Sequence, residues 1–440
     1  MPPERQQFQA PTGTRDVLPP ESARWEAVVE AFGASARRAG YGMVLTPLFE
    51  DVGVFARGVG EHTDVVSKEM YDFSDKGGRH LALRPEVTAS VARAFVQHRP
   101  TTPWKVWYWG PQFRYERPQA GRYRQFFQLG LEALGSADPY LDVEVIAVAW
   151  DFCAGLGLGR LRLCLNSLGD ATCRPQYRQD LLAYLESVEG ELCEEHRARW
   201  RESPLRVLDC KRGACLVATE DAPRQLDQLC EPCAEHWRLV TGGLESLGIP
   251  AVVTPRLVRG LDYYTRTTFE LAAEALDSAQ DAVGGGGRYD GLVEALGGPP
   301  TPATGFSMGL DRLLLALSAE QGGDGAQRRA SEGGAAPDAF VVDLVGGAEA
   351  LSLTRELRAA GLSADRGFDE RSVRAQLRAA DRAGATVAVI VGPEELASGS
   401  ATVRLLADAR QERVDRSEVV ERVGAAARSA RLATASREPR

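Results

Sequence analysis

Apolar residues first recur at helical spacing and then alternate with polar ones along the chain. In residues 22–38 the apolar positions fall three or four apart, which predicts a helix. Residues 71–83 read as a hairpin with a glycine-containing turn, and two long extended segments, 105–116 and 124–134, are joined by a polar loop. This pattern predicts an antiparallel sheet flanked by helices. Further helices are predicted from Pro85 to about Val96 and over 142–153, and a strand over 160–166.

The pattern changes twice later in the chain. From about residue 169 to 248 it becomes helical and charged, without β-branched runs, and extended segments return at 251–257 and 267–271. Residues 304–317 run from a strand end into an apolar helix. Beyond a stretch of glycine, alanine and charged residues, strands and helices alternate, which predicts a small α/β domain.

The predicted fold class is therefore α/β (α+β), with a helical insertion and a C-terminal α/β domain. The expected divisions are 1–168 and 249–321 as two parts of one core, 169–248 as the insertion, 322–337 as a linker, 338–427 as the terminal domain and 428–440 as a disordered tail.

Composition excludes several classes of protein. The 440 residues contain 52 Lys+Arg and 61 Asp+Glu, for a net charge of −9. No window resembles a membrane span and the first residues do not resemble an export signal, so a cytoplasmic protein is expected. Net acidity argues against binding nucleic acid through bulk charge, although a local basic patch stays compatible with it.

Five of the eight cysteines lie in the predicted insertion between residues 193 and 233. The pairs Cys210 with Cys215 and Cys230 with Cys233 have the spacing of a tetrathiolate zinc site. The alternative is a set of ordinary reduced thiols without a metal. None of the five histidines lies in a recognisable metal motif.

The strongest chemical signal lies in the two long extended segments. Side chains alternate faces along a strand, so a single surface should present an arginine, two carboxylates, an amide, an aromatic ring and a gap. These residues are Arg114, Glu116, Phe126, Gln128, Gly130 and Glu132. Guanidinium groups suit phosphates, and a ring face suits a base, so the surface predicts a nucleotide site.

These segments resemble a known family of enzymes. Together with Gly305 to Arg312, they resemble the second and third signature motifs of class II aminoacyl-tRNA synthetases. The helix 22–39 with Gly42 to Pro47 resembles the first motif, which forms the dimer interface in that family. Leu257 to Tyr264 and Val283 to Leu292 resemble two motifs peculiar to histidyl-tRNA synthetases, and Leu83 to Thr88 resembles their amino-acid loop. The terminal domain falls where those proteins have an anticodon-binding domain.

The resemblance implies ATP-dependent ligation of L-histidine to tRNA(His) through a histidyl-adenylate, with Mg²⁺ accompanying ATP and with a homodimer as the active form. Arg259 and Arg114 would be the catalytic residues. Histidine would be bound by Glu86, Thr88, Arg114, Gln128, Glu132, Arg259, Tyr263 and Tyr264, and ATP by Arg114, Glu116, Arg122, Phe126 and Arg312. For Glu86, stabilisation of a helix start is an alternative role.

Two further points concern partners. The arginines of residues 112–124, and Arg371, Arg374 and Arg378 on the terminal domain, are the expected tRNA contacts. The alternative function is that of a noncatalytic synthetase-like subunit that regulates ATP phosphoribosyltransferase. Such paralogues typically lack the terminal domain and lose residues of the 259–264 and 284–291 motifs, whereas this chain has both.

Overall fold

The computed structural model describes residues 8–60, 63–119, 121–276, 281–320, 336–368 and 371–435. The chain divides into two compact units. One comprises Met1–Leu18 and Trp25–Ala326, and the other Pro19–Arg24 and Gln327–Arg440. Among the described residues, no helix combines the length and apolar character needed to cross a membrane.

The strands in the first part of the chain are β1 Gly42–Met43, β2 Phe49–Asp51, β3 Tyr71–Ser74, β4 His80–Leu83, β5 Trp104–Phe113, β6 Gln125–Leu134, β7 Leu161–Ser167, β8 Ala251–Val253, β9 Thr265–Ala273, β10 Ala282–Arg288 and β11 Ala303–Gly309. The helices there are α1 Glu21–Arg38, α2 Val52–Val59, α3 Thr88–His98, α4 Pro139–Gly155, α5 Arg174–Ser187, α6 Glu194–Arg197, α7 Pro204–Leu208, α8 Gly213–Ala218, α9 Glu231–Ser246, α10 Leu292–Ala295 and α11 Leu310–Glu320.

An eight-stranded sheet in the order β1-β5-β6-β11-β10-β9-β7-β8 is the frame of the first unit. Neighbouring strands of this sheet are antiparallel, except for the two edge pairs, β1 with β5 and β7 with β8, which are parallel. The predicted antiparallel pair is confirmed as β5 and β6, in a register that sets Tyr108 opposite Gly130 and Gln112 opposite Phe126. The apolar sides of α1, α4 and α11 pack into one core with this sheet. A second core joins α2, α3 and α10 to the sheet and to Tyr263 and Tyr289.

The central strand β10 has no strand signal in the sequence. It contains Gly284–Gly287, and glycine is disfavoured in strands because it has no side chain to pack and loses the most backbone entropy. It is nevertheless paired on both sides, with β9 and β11. At its end Arg288 is fully buried and forms an ion pair with Asp142 of α4.

Between β7 and β8 the chain forms the helices α5 to α9, in the region predicted as an insertion. These helices have a small core of their own, which includes Tyr177, Leu181, Trp200 and Val207. Helix α9 also packs against the core through Gly243, where an added Cβ would lie 2.8 Å from Val143.

The second unit contains a five-stranded sheet with helices α12 Ala348–Ala359, α13 Val373–Arg382, α14 Pro393–Ser398 and α15 Val419–Ala435. Its strands are β12 Ala339–Asp343, β13 Ala364–Arg366, β14 Val387–Val391, β15 Ser400–Leu405 and β16 Gln411–Asp415, in the order β13-β12-β14-β15-β16. Strand β12 is parallel to β14, the other strand that the alternating pattern predicts, and also to β13. The short strands β13 and β16 are not predicted by the sequence.

Two of the predicted divisions, the linker and the C-terminal tail, need comment. The predicted linker 322–337 lies almost wholly outside the described residues. The predicted disordered tail is wrong for residues 428–435, because α15 continues to Ala435. In that segment Arg431 binds both carboxylate oxygens of Asp338 at 2.8 Å, a tertiary contact that apolar periodicity cannot show. The predicted fold class is otherwise confirmed.

Candidate active site

Two cavities adjoin in the first unit and share part of their walls. One, of about 180 Å³, is rich in arginine and lies at Arg114, Arg122 and Arg312. The other, of about 160 Å³, is lined by Tyr108, Tyr263 and Tyr264 among others. The residues that line both cavities are Arg114, Gln128, Arg259 and Ser307. A molecule that occupied both cavities would therefore have its middle at these four side chains.

The arginine-rich cavity combines positive charge with an aromatic ring. The Arg114 guanidinium lies 5.3 Å from the centroid of the Phe126 ring. Glu116 forms ion pairs with Arg122 at 3.3 Å and with Arg114 at 3.9 Å. Burial lowers the pKa of Arg312, and repulsion from the nearby Arg122 lowers it further. The cavity suits an anion with several charges and a flat ring.

Arg259 reaches the boundary between the cavities across the glycine strand. A Cβ added at Gly285 would lie 2.9 Å from the Arg259 guanidinium, so the absence of a side chain there makes room for it. Its Nη1 donates to Glu270 of β9 at 2.7 Å. The sequence did not single out Glu270, because only the pairing of β9 with the glycine strand brings it to Arg259.

The tyrosine-lined cavity contains Glu86 at the start of α3. The Glu86 carboxylate is buried and accepts hydrogen bonds from the backbone amides of Thr88 and Ala89, both at 2.8 Å. Burial raises the pKa of Glu86, and these amide bonds oppose the shift. The structure thus gives Glu86 the helix-start contacts of the alternative interpretation while it also lines the cavity.

Glu132 is not among the residues that line this cavity, but its carboxylate contacts two that are, Thr88 and Tyr108. Its carboxylate accepts hydrogen bonds from three hydroxyls, those of Thr88 at 2.7 Å, Tyr108 at 3.1 Å and Tyr289 at 2.5 Å. Burial raises the pKa of Glu132 to about 8, against the opposing effect of these bonds. The carboxyl group therefore fixes the positions of the hydroxyl groups around it.

Sequence reasoning missed Tyr108 and Ser307, which also line the second cavity. Tyr108 faces Gly130 across the β5–β6 pair, and the predicted gap at Gly130 is filled by the Tyr108 ring. Strand alternation could have found Tyr108, since it lies on the same face of β5 as Gln112. Ser307 lies within the matched segment 305–312 but has no distinctive chemistry on its own.

The predicted four-cysteine zinc site is wrong in its pairing. Cys210 and Cys215 cluster with Cys193 and His196, whereas Cys230 and Cys233 cluster with Asp170 and Cys173. The prediction paired cysteines by their distance along the chain, but α8 and α9 begin in different places in the fold. His196, which the sequence did not group with any cysteine, has its ligand atom within 4.8 Å of the sulfur atoms of Cys193, Cys210 and Cys215.

Comparison with known proteins identifies the family. A family model described as histidyl-tRNA synthetase matches residues 13–313, and one described as an anticodon binding domain matches residues 338–425. The chain belongs to the histidyl-tRNA synthetase family. The family predicted from the motifs is thereby confirmed, and all the predicted histidine- and ATP-binding residues fall within the first match.

Individual relatives of this family support the assignment over nearly the whole chain. A curated protein of Rhodococcus erythropolis named "Histidine--tRNA ligase" is 49% identical over 424 residues, 95% of this chain and 97% of that protein. The apo histidyl-tRNA synthetase of S. aureus has a TM-score of 0.78 at 34% identity, covering 95% of this chain and 100% of the other. A Bacillus halodurans protein titled "ATP phosphoribosyltransferase regulatory subunit/histidyl-tRNA synthetase" shares the fold, with a TM-score of 0.61 at 22% identity, covering 85% of this chain and 97% of that one.

Proposed function

We propose that this chain attaches L-histidine to tRNA(His) in two steps. Histidine and ATP first give histidyl-adenylate and pyrophosphate, and the histidyl group then passes to the 3′ end of the tRNA with release of AMP. The observation that carries the proposal is the wall shared by the two cavities. It would hold the reacting carboxylate and α-phosphate together between an amino-acid site and a nucleotide site.

Activation requires the histidine carboxylate to attack the α-phosphorus in line with the departing pyrophosphate. Most of the catalysis then comes from positioning and from stabilising charge on phosphate oxygens. Arg114 and Arg259 line both cavities and are assigned this role. Glu270 holds Arg259 by one terminal nitrogen, which leaves the rest of the guanidinium to bind oxygen atoms.

ATP is assigned to the arginine-rich cavity, as its Mg²⁺ complex. Phe126 offers a ring face to adenine, and Glu116 a carboxylate to the adenine amino group. Arg312 and Arg122 are assigned to the outer phosphates, where the mutual repulsion of these two arginines would be relieved by the bound anion.

Histidine is assigned to the tyrosine-lined cavity. Glu86 and Thr88 are assigned to the α-ammonium group, and Gln128, Tyr263 and Tyr264 to the remainder of the substrate. Glu132 is also assigned to the histidine site, where it holds the hydroxyl groups of Thr88 and Tyr108. A buried site that hydrogen-bonds a polar substrate rejects apolar amino acids by roughly 10⁴-fold or more, because its own polar groups would be left unpaired.

The tRNA and a second copy of the chain are the proposed macromolecular partners, and the cytoplasm is the proposed location. The match of residues 338–425 to an anticodon binding domain supports tRNA binding by the second unit. In the edge strand β1 and the segment from there to the start of β2, the apolar side chains Met43, Leu45, Leu48 and Phe49 are 43–70% exposed. Such an apolar edge on a cytoplasmic protein suits a dimer interface.

The regulatory-subunit alternative is less well supported. The matched relative named as a ligase covers both units, and the arginines expected of an ATP-using enzyme all line one cavity. A regulatory protein would need the histidine cavity but would have no requirement for Arg312 and Arg122 beside it.

The proposal is tested by histidine-dependent exchange of pyrophosphate into ATP, with the other amino acids as controls. Exchange with histidine alone, followed by charging of tRNA(His) transcripts, is the expected result. Folded protein that binds ATP but shows no exchange would refute the catalytic assignment and favour the regulatory alternative.

A further inference from the structure

Two groups of metal-binding side chains lie in the helical region between β7 and β8. The inner cluster comprises Cys193, His196, Cys210 and Cys215. The outer cluster comprises Asp170, Cys173, Cys230 and Cys233. In each cluster the four ligand atoms lie within 4.8 Å of one another. In the sequence, Asp170 and Cys173 of the outer cluster precede all four residues of the inner cluster, and Cys230 and Cys233 follow them. Each cluster therefore joins separate segments of the chain.

We propose that each cluster binds one Zn²⁺ ion, so that the chain has two structural zinc sites. Tetrahedral zinc with bonds of about 2.0–2.3 Å separates its ligand atoms by about 3.3–3.8 Å. The ligand atoms of each cluster, at most 4.8 Å apart, are already close to these separations. Each has four protein ligands, the full set of a closed structural site, which leaves no position for a catalytic water.

The inner cluster has the ligand set Cys₃His. The Nδ1 atom of His196 lies 3.1 Å from the sulfur of Cys193 and 3.9 Å from that of Cys215, which makes Nδ1 the metal-binding nitrogen. The backbone amide of Cys193 donates to the Cys215 sulfur at 3.3 Å. Amide bonds to sulfur stabilise a thiolate, the form in which cysteine binds zinc. Each bound cysteine would release its proton to solvent.

The outer cluster has the ligand set Cys₃Asp and an ordered outer shell. The Oδ1 atom of Asp170 lies 3.7 Å from the sulfur of Cys230 and 3.8 Å from that of Cys173. Its other oxygen, Oδ2, accepts from Arg266 at 3.2 Å. Partners of this kind orient metal ligands, and a positive guanidinium offsets the net negative charge of zinc with three thiolates and a carboxylate.

The turn before the outer cluster is built for close approach of the sulfur. Gly169 has a φ of +62°, and a Cβ there would lie 2.6 Å from the Cys173 sulfur. The amide of Asp170 donates to the same sulfur at 3.4 Å.

The two sites would connect different helices. The outer site would fasten the start of α5 to the start of α9, where the inserted helices leave and rejoin the core. The inner site would fasten the short helices α6 and α8, which are too short to be stable alone.

Metal content of the full-length protein tests the proposal directly. Protein expressed with added zinc and purified without chelators should contain about two zinc ions per chain by elemental analysis. A value below about 0.2 would overturn both sites, and a value near one would overturn the assignment of two. Protein produced with cobalt instead of zinc should show thiolate-to-cobalt charge-transfer absorption and the visible bands of tetrahedral cobalt. Cobalt protein without the charge-transfer band would contradict thiolate ligation even if metal were present.

Variants separate the two sites and distinguish ligation from structural support. Cys233→Ser should lower the zinc content by about one ion, while Cys164→Ala, a buried thiol outside both clusters, should leave it unchanged. His196→Ala should likewise lose about one ion, but His196→Cys should keep it, because thiolate replaces imidazole as a ligand. Equal zinc content in the two His196 variants would show that the side chain is not a ligand.

Discussion

Arg259 is the residue at which the two cavities, the glycine strand and the Glu270 carboxylate meet. Its neighbours show why sequence could identify the residue but not its surroundings. A motif gives the identity of a side chain at a position, and strand alternation gives its face. Glu270 lies on β9, and only the pairing of β9 with the glycine strand brings it to Arg259, which no local pattern shows.

Replacing Arg259 with histidine should reduce histidine-dependent pyrophosphate exchange by about 10²–10³-fold, the usual effect of losing one preorganised group that stabilises transition-state charge. The change leaves no large cavity in a hydrophobic core, so the melting temperature should stay close to that of the wild type. Arg238→His is the matched control, because the Arg238 side chain is exposed and pairs with Glu235 on the same helix. Exchange rates within a factor of two of the wild type would remove Arg259 from the mechanism.

Glu132 gives a prediction about pH. Burial raises its pKa to about 8 in the folded protein, so the folded chain keeps a proton that the unfolded chain has already released. The folded state is then disfavoured progressively as pH rises from about 5 to about 8. Glu132→Gln removes this titration but keeps a polar group for Thr88, Tyr108 and Tyr289. The free energy of unfolding of Glu132→Gln minus that of the wild type should increase by on the order of 1–3 kcal/mol between pH 5.5 and pH 8.

Thermal unfolding of Glu132→Gln and wild type across that pH range measures the effect. Glu294→Gln is the control for the change of charge, because Glu294 is an exposed glutamate on α10. A stability difference for Glu132→Gln that does not change with pH would show that Glu132 is ionised throughout.

At the scale of elements, β10 is the clearest case in which structure overrides local propensity. Four consecutive glycines have low strand propensity, yet they pair with β9 and β11, whose backbones leave no room for side chains there. The same lack of side chains admits the Arg259 guanidinium. By contrast α1 follows its apolar pattern closely, because one face of the helix lies in a core and the other outside it. Strands β5 and β6 match the two predicted extended segments, although consecutive residues of each are buried.

Gly286→Ala should therefore destabilise the first unit strongly. A Cβ at Gly286 would overlap the carbonyl oxygen of Gly305 and lie 2.6 Å from the Cα of Phe306, and backbone atoms cannot turn aside as a side chain can. A loss of about 1–3 kcal/mol or more is expected, with a parallel loss of pyrophosphate exchange. Gly242→Ala is the control, since the position is helical with no atom within 4 Å of an added Cβ, and the change should be neutral or stabilising by up to about 1 kcal/mol. Unchanged thermal unfolding of Gly286→Ala would mean that the strands can separate at little cost.

At the scale of the whole molecule, the order of elements was predictable and the pairing of distant segments was not. Alternation of strands and helices predicts the second unit, but the pairing of cysteines between α5, α8 and α9 depends on how the helices fold back on one another.

The net charge of the whole chain is a poor guide to nucleic-acid binding, because the charge is unevenly distributed. From Asp338 to Arg440 the sequence has 16 acidic residues and 16 arginines, so the deficit of −9 belongs to the rest of the chain. An acidic protein can thus bind tRNA through a neutral unit and a local group of arginines.

The exposed edge next to β1 gives the prediction for assembly. Leu45 is 70% exposed among other apolar side chains, and an aspartate there would place a charge in the proposed dimer interface. Leu45→Asp should raise the dimer dissociation constant by at least about 30-fold, which corresponds to about 2 kcal/mol. Leu432→Asp is the matched control, because Leu432 is 71% exposed on α15, away from this edge in the sequence. Sedimentation velocity over a range of concentrations distinguishes the outcomes: a wild-type monomer, or a Leu45→Asp dimer as tight as the wild type, would remove this edge from the interface.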